Sequence, residues 1–291
     1  MIREGMEPCP GYKLTKRLGM GGFGDVWEGV SITDGSKLAF KFLNCANQSS
    51  TFVVNEIRLL VSLRELKHPH LIQLKNVLTS PNYIILMMER ADWNLSDLHR
   101  AYREQAKANI PPKLLCDMMD QSADALDFLA GQKIQGLAFG GTGLQHCDVK
   151  PSNLLVLNNT VKVADFGLSG PMMWNSRNSH FVGTPPYAPP EMYDGRVTER
   201  TDQYALAVTY CELRTGHFPF KVTEKLKPPS SPPDLTRVSN DRERLVLLKA
   251  MHKQWVDRYP SCRAFAAALR EAVNAGDDSP LPLTNGAPSR R

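Results

Sequence analysis

Two apolar runs stand out in the first third of the chain. Positions 38–43 read Leu-Ala-Phe-Lys-Phe-Leu, and 83–88 read Tyr-Ile-Ile-Leu-Met-Met before charge stops the run at Glu89 and Arg90. Each has the length and residue types of a buried strand. Positions 25–33, rich in β-branched and aromatic residues, predict a strand that runs into a turn at Asp34-Gly35. Helical spacing takes over at Phe52, Leu59/Leu60 and Leu63, and predicts a helix across 52–63. The same spacing at Leu115, Met118/Met119, Ala123, Leu126 and Leu129 predicts a long core helix over 114–130. Positions 251–256 and 262–273 predict two closing helices.

Between these elements lie punctuating segments. Residues 136–143 are glycine-rich and predict a surface loop. Residues 227–233 form a proline-rich loop between helices, and 276–291 read as a disordered tail rich in Pro, Ser, Gly and Asn.

Composition narrows the class. The 291 residues suffice for one large domain or two lobes, and 42% hydrophobic against 22% charged residues is an ordinary globular balance. A net charge of +5 is too small to argue for nucleic acid. The six cysteines form no CxxC pair, so reduced thiols in a cytoplasmic protein are expected rather than disulfides or zinc. No run of 18 apolar residues is present, so no membrane segment is expected.

The chemistry is concentrated in His146-Cys147-Asp148-Val149-Lys150-Pro151-Ser152-Asn153, followed by Asp165-Phe166-Gly167. One carboxylate can orient a hydroxyl and accept its proton. An ammonium can offset charge on a transferring phosphoryl group. An amide and a second carboxylate can give oxygen ligands to Mg²⁺. Upstream, Gly19, Gly21 and Gly24 form a GxGxxG run. Dinucleotide folds share that spacing, but there it opens a helix. Here a predicted strand follows, so the run reads as a flap between strands that lets backbone N–H groups approach phosphates.

Taken together, these motifs resemble the protein kinase family, over roughly residues 11–275. The resemblance implies an α+β, bilobal protein-kinase-like fold. A small antiparallel β-sheet lobe with one helix (about 11–90) would precede a larger, mainly α-helical lobe (91–275). It implies catalytic roles for Asp148 and Lys150. Lys41 would contact ATP phosphates and be oriented by Glu56. Asn153 and Asp165 would hold Mg²⁺. Leu18, Val26, Ala39, Met88 and Leu155 would enclose the adenine, whose edge would bond the backbone at Glu89 and Ala91. Lys150, two residues after Asp148, is similar to the serine/threonine class, and the wording around 188–191 and 202–206 to eukaryotic-like Ser/Thr kinases of bacteria.

Further positions follow from the same resemblance. Thr184 would hydrogen-bond near Asp148 and Lys150, Arg258 would pair with Glu191, and Asp202 would tether the catalytic loop. Cys147 departs from the family, which commonly has Arg there to pair with a phosphate on the activation segment; a thiol makes no such bond. Modest dependence on phosphorylation of that segment is therefore expected. Ser169, Ser176 and Ser179 are hydroxyls within it. The implied activity is transfer of the γ-phosphoryl of Mg-ATP to Ser or Thr of a protein, with autophosphorylation among the expected reactions. The rival readings are an ATP-binding scaffold without turnover and a small-molecule kinase.

Overall fold

Residues 37–44 alternate as a strand must. In β3 (Lys37–Asn44), Phe40 and Phe42 join Leu14 and Ile85 in one apolar cluster, while Ala39 and Leu43 join others. Lys41 shares the Ala39 face and is 3% exposed. Register alone thus turns an ammonium inward. These features belong to a computed structural model that describes residues 2–21, 24–132, 143–165, 183–221 and 227–276. The loop expected at 136–143 and the tail expected from 276 lie, apart from Gly143 and Gly276, outside the described residues.

β3 is the centre of a five-stranded antiparallel sheet ordered β1-β2-β3-β5-β4, with β1 at Tyr12–Gly21, β2 at Gly24–Ser31, β4 at Leu74–Ser80 and β5 at Tyr83–Glu89. β1 and β2 form a hairpin that puts Gly21 opposite Gly24. Gly24 has φ +126°, and a Cβ there would lie 2.1 Å from the Phe42 carbonyl oxygen, so only glycine fits. The strand expected over 25–33 stops at Ser31. The Ser31 hydroxyl accepts from the N–H groups of Thr33 and Asp34 and bends the chain two residues early. Helix α1 (Ser50–Arg64) contains the expected 52–63 segment and buries Leu59, Leu60 and Leu63.

The second lobe is built on helices. Pro112 at the first helical position opens α3 (Pro112–Ala130), after the shorter α2 (Leu95–Ala101) capped by Asn94. α3 buries Leu115, Met118, Met119, Ala123, Leu126 and Leu129, the stripe expected from spacing. A small sheet of β6 (Trp93–Asn94), β7 (Leu154–Leu157) and β8 (Thr160–Val163) lies beneath the cleft. α4 (Thr201–Thr215) is buried along most of its length and ends at Gly216, whose φ of +76° suits a left-handed cap. The lobes are stitched by Val163 N–H to His70 O (2.8 Å) and Ile72 N–H to Val163 O (2.9 Å).

One expected helix is corrected. Residues 251–256 do not form a helix; α5 precedes them at Asp241–Ala250, started by Asn240, whose side chain accepts from Arg242 and Glu243 N–H. After it, Gln254 N–H donates to the His252 ring at 3.2 Å, a local bond that competes with helical pairing. Only a single 3₁₀ turn (Trp255–Asp257) follows. The last helix, α6 (Cys262–Asn274), matches its expected span and is capped by Ser261.

Candidate active site

The segment 146–153 is held from below by one buried carboxylate. Asp202, in the first turn of α4, accepts from His146 N–H at 2.6 Å and Cys147 N–H at 2.8 Å. Burial pushes its carboxyl above the usual range, and the neighbouring His146 imidazole and the two N–H bonds oppose that rise. The His146 ring accepts from Asp148 N–H at Nδ1 (3.1 Å). Its Nε2 therefore donates to Ala164 O, at 2.7 Å. Ala164 N–H in turn donates to Asn153 O at 2.9 Å. The two chain segments carrying Asp148 and Asp165 are thereby laced together, through His146 two residues before one carboxylate and Ala164 one residue before the other.

Cys147 carries φ +63°, a left-handed conformation unusual for a residue with a side chain. It is buried against Ala188 and Met192. Gly183 approaches so closely that a Cβ there would stand 2.4 Å from Cys147 O. Burial, then the Asp202 and Asp148 charges, push this thiol well above its ordinary pKa.

Asp148 is fixed by three side chains. Asn153 Nδ2 donates to Oδ2 at 2.9 Å, Lys150 Nζ lies 2.8 Å from Oδ2, and the Thr184 hydroxyl donates to Oδ1 at 2.6 Å. That hydroxyl also accepts from Lys150 Nζ at 2.7 Å. The expected Thr184 contact is present. Asn153 uses its amide nitrogen on Asp148, which leaves its oxygen free for a cation among the described residues.

Across the cleft, Lys41 Nζ lies 2.8 Å from Asp165 Oδ2. Asp165 also has a left-handed backbone, φ +64°. The expected Lys41–Glu56 pair is not formed, and Glu56 has no ion-pair partner among the described residues. Burial raises its carboxyl from 4.5 to about 7. Phe166 and Gly167, which follow Asp165, lie outside the described residues, as do Ser169, Ser176 and Ser179.

The adenine-site candidates mostly converge. Ala39 and Met88 are buried in one cluster with Ile72, Leu74 and Ala164, and Val26, Ala91 and Leu155 pack against it. This cluster draws residues from both lobes. Leu18 does not join it; it is 39% exposed. The β1–β2 register shifts between Arg17 and Gly19, so Leu18 is the extra residue of a bulge. Gly19 pairs opposite Val26, while Gly22 and Phe23 at the hairpin tip lie outside the described residues. Ala91 N–H donates to no acceptor among the described residues, so a hydrogen-bond donor stands available at the slot. Sequence reading assigned no role to Ile72, Leu74 or Ala164, since apolar slots and apolar cores share one composition. It also missed Lys162, which lies 3.0 Å from Glu89 Oε2 and pins that side chain to β8.

The segment beyond the site is anchored by Arg258, whose Nη1 and Nη2 each lie 2.7 Å from a Glu191 carboxylate oxygen. This is the expected pair, and both side chains are buried.

A carboxylate bonded to Lys, Thr and Asn, together with an ammonium–carboxylate pair and an apolar cluster drawn from both lobes, is the equipment of a protein kinase. Residues 12–256 match the protein kinase domain model, and the chain belongs to that family. It is 28% identical over 283 residues to serine/threonine-protein kinase Pkn1 of Myxococcus xanthus, covering 91% of this chain and 38% of that protein. It is 31% identical over 216 residues to sucrose non-fermenting protein kinase 1 of Fusarium virguliforme, covering 72% of this chain and 28% of that protein. The chain thus spans well under half the length of either relative. The crystal structure of the Mycobacterium tuberculosis PknI kinase domain matches with TM-score 0.70 at 27% identity, covering 94% of this chain and 100% of that one. The bilobal kinase fold expected from sequence is therefore present, and the domain is of the serine/threonine protein kinase type. Membership implies use of ATP and protein substrates. No helix among the described residues is long and apolar enough to cross a membrane.

Proposed function

We propose that this chain transfers the γ-phosphoryl of Mg-ATP to Ser or Thr hydroxyls of proteins, its own among them. The observation that carries this reading is the threefold anchoring of Asp148 by Asn153, Lys150 and Thr184. That anchoring fixes one carboxylate in a single geometry, by which a substrate hydroxyl would be oriented and relieved of its proton. The kinase domain is taken as 11–275, with the lobes meeting at about residue 90.

The donor set fits the nucleotide. The slot of Val26, Ala39, Met88, Ala91 and Leu155 is apolar, and the Ala91 N–H is available to the adenine edge, with the Glu89 carbonyl beside it. Of the glycines Gly19, Gly21 and Gly24 proposed to cover the phosphates, Gly19 has open space where a Cβ would stand, while Gly24 is required by the close approach of the Phe42 carbonyl. Lys41 offers an ammonium on the inner face. Asn153 Oδ1 and the Asp165 carboxylate are oxygen donors of the type Mg²⁺ prefers. When bound, Mg-ATP supplies an electrophilic phosphoryl group with part of its charge already offset. Lys150 offsets more as the substrate oxygen approaches, and the protein's contribution is position and electrostatics. Leu18, in β1, stays a proposed adenine contact, and Glu56 does not pair with Lys41 in the arrangement seen here. The thiols are all free, as suits a cytoplasmic protein.

The test is incubation with Mg-ATP and a Ser/Thr-rich protein, with modified residues mapped by mass spectrometry. Phosphoserine and phosphothreonine, including sites on the chain itself, are expected. Nucleotide binding without any transfer would favour the scaffold reading instead.

A further inference from the structure

Two consecutive side chains at the junction of the lobes are gripped from opposite sides. Arg90 Nε lies 2.7 Å from Glu28 Oε2 in β2, and Glu89 Oε2 lies 3.0 Å from Lys162 Nζ in β8. The Arg90 Nε–H makes no aligned hydrogen bond among the described residues, so the first contact is an ion pair. Both gripping charges stand beside the apolar cluster of the adenine-site candidates. Glu28 is opposite Ala39, and Ala39 opposite Met88, across β2, β3 and β5. Lys162 is opposite Leu155 across β7 and β8. Directly paired residues share a face, so each charge lies on the face of its sheet that carries cluster residues.

A carboxylate only 5% exposed is costly without partners, and Glu28 has three. The Thr15 hydroxyl donates to Oε1 at 3.1 Å, Lys37 Nζ lies 3.5 Å from the same oxygen, and Arg90 holds the other. Burial opposes ionisation, but these partners outweigh it and hold the carboxyl below its usual range. On the other side, Glu89 Oε2 also accepts from Gln73 N–H at 3.1 Å, and the Lys162 ammonium donates to Leu71 O at 3.4 Å. Lys162 therefore ties the stretch before β4 to the end of β5.

We propose that Glu28 and Lys162 are positioning residues for the nucleotide base: by clamping the side chains of Arg90 and Glu89 they fix the backbone of residues 89–91 in the conformation that bonds the adenine edge. The proposal rests on the kinase reading above and adds two residues to it. Each acts through its partner, since a stretch already held loses less freedom when the base binds. The effect belongs to the base end of the nucleotide. The triphosphate end, at Lys41 and Asp165, is spared because the Val163 backbone bonds to His70 and Ile72 keep β8 in place without the clamp.

Displacement of a fluorescent ATP analogue, whose own affinity is measured for each protein, tests this without turnover. The competitors are adenosine and Mg-tripolyphosphate. Glu28→Gln and Lys162→Met should each weaken adenosine by about three- to tenfold and leave tripolyphosphate within about twofold. Initial rates should split in the same way, with KM for Mg-ATP raised by that factor and kcat unchanged. Equal losses for the two competitors would mean general loosening of the cleft and would overturn the proposal, as would an unchanged adenosine affinity in either variant. Arg90→Gln breaks the same contact from its partly exposed side and should copy Glu28→Gln, so the outcome stays decisive even if the buried substitution prevents folding, which thermal unfolding reports. A wild type that binds adenosine yet transfers no phosphate would count against the kinase reading alone.

Discussion

Lys41 Nζ pairs with Asp165 Oδ2 at 2.8 Å, and Glu56, half-buried in α1, has no ion-pair partner among the described residues. The inward ammonium is satisfied from the second lobe rather than from its own.

This arrangement makes Glu56 a pH-dependent liability. Burial raises its carboxyl from 4.5 to about 7, so the folded state holds the proton more tightly than the unfolded chain. The protonated group's contribution is complete below pH 4.5 and is lost as pH rises through 7. Glu56→Gln should therefore match the wild type at about pH 4 and exceed its stability at about pH 8 by up to about 3 kcal/mol. Urea unfolding at the two pH values measures this, and a gap that does not change with pH would refute it.

Arg258 and Glu191 form a fully desolvated bidentate pair. Removing one partner leaves a buried charge uncompensated. Arg258→Met should cost about 3–5 kcal/mol in chemical denaturation. The double variant with Glu191→Gln should recover part of that loss. Equal losses in the single and double variants would show that packing, not charge, dominates.

Cys147 occupies the place where the family commonly has Arg, in a left-handed backbone packed on Ala188 and Met192. A buried thiol provides nothing for a phosphate to bond. Replacing Ser169, Ser176 and Ser179 with Ala should change kcat by less than about tenfold, because no charge-assisted bond of about 1.5–3 kcal/mol is at stake. Initial rates decide the point; a loss beyond about a hundredfold would mean another cation reads the phosphate.

What the sequence disclosed, and what it hid, divides by mechanism. Contacts formed inside short motifs were readable. Asp148, Lys150 and Asn153 sit within six residues of one another, and chain geometry alone brings them together. The tether from Asp202 and the Glu191–Arg258 pair were reached only through resemblance, since their partners lie far apart in sequence. The Lys41–Glu56 pair failed because it depends on where α1 sits against the sheet, which helical spacing does not fix. Leu18 is set apart from the buried cluster because a bulge inserts one residue and breaks the strand alternation there. Helix α5 was displaced from the expected 251–256 because the Asn240 cap carries a stronger start signal than the apolar count that follows.

The measurement that bears most directly on the account is a comparison of wild type and Asp148→Asn for both nucleotide affinity and phosphoryl-transfer rate. Asn keeps the shape of the side chain, and the Asp148 main-chain carbonyl still accepts from Asn153. The account predicts unchanged Mg-ATP binding and a rate lowered by about a thousandfold. A variant that transfers phosphate within about tenfold of the wild-type rate would contradict it.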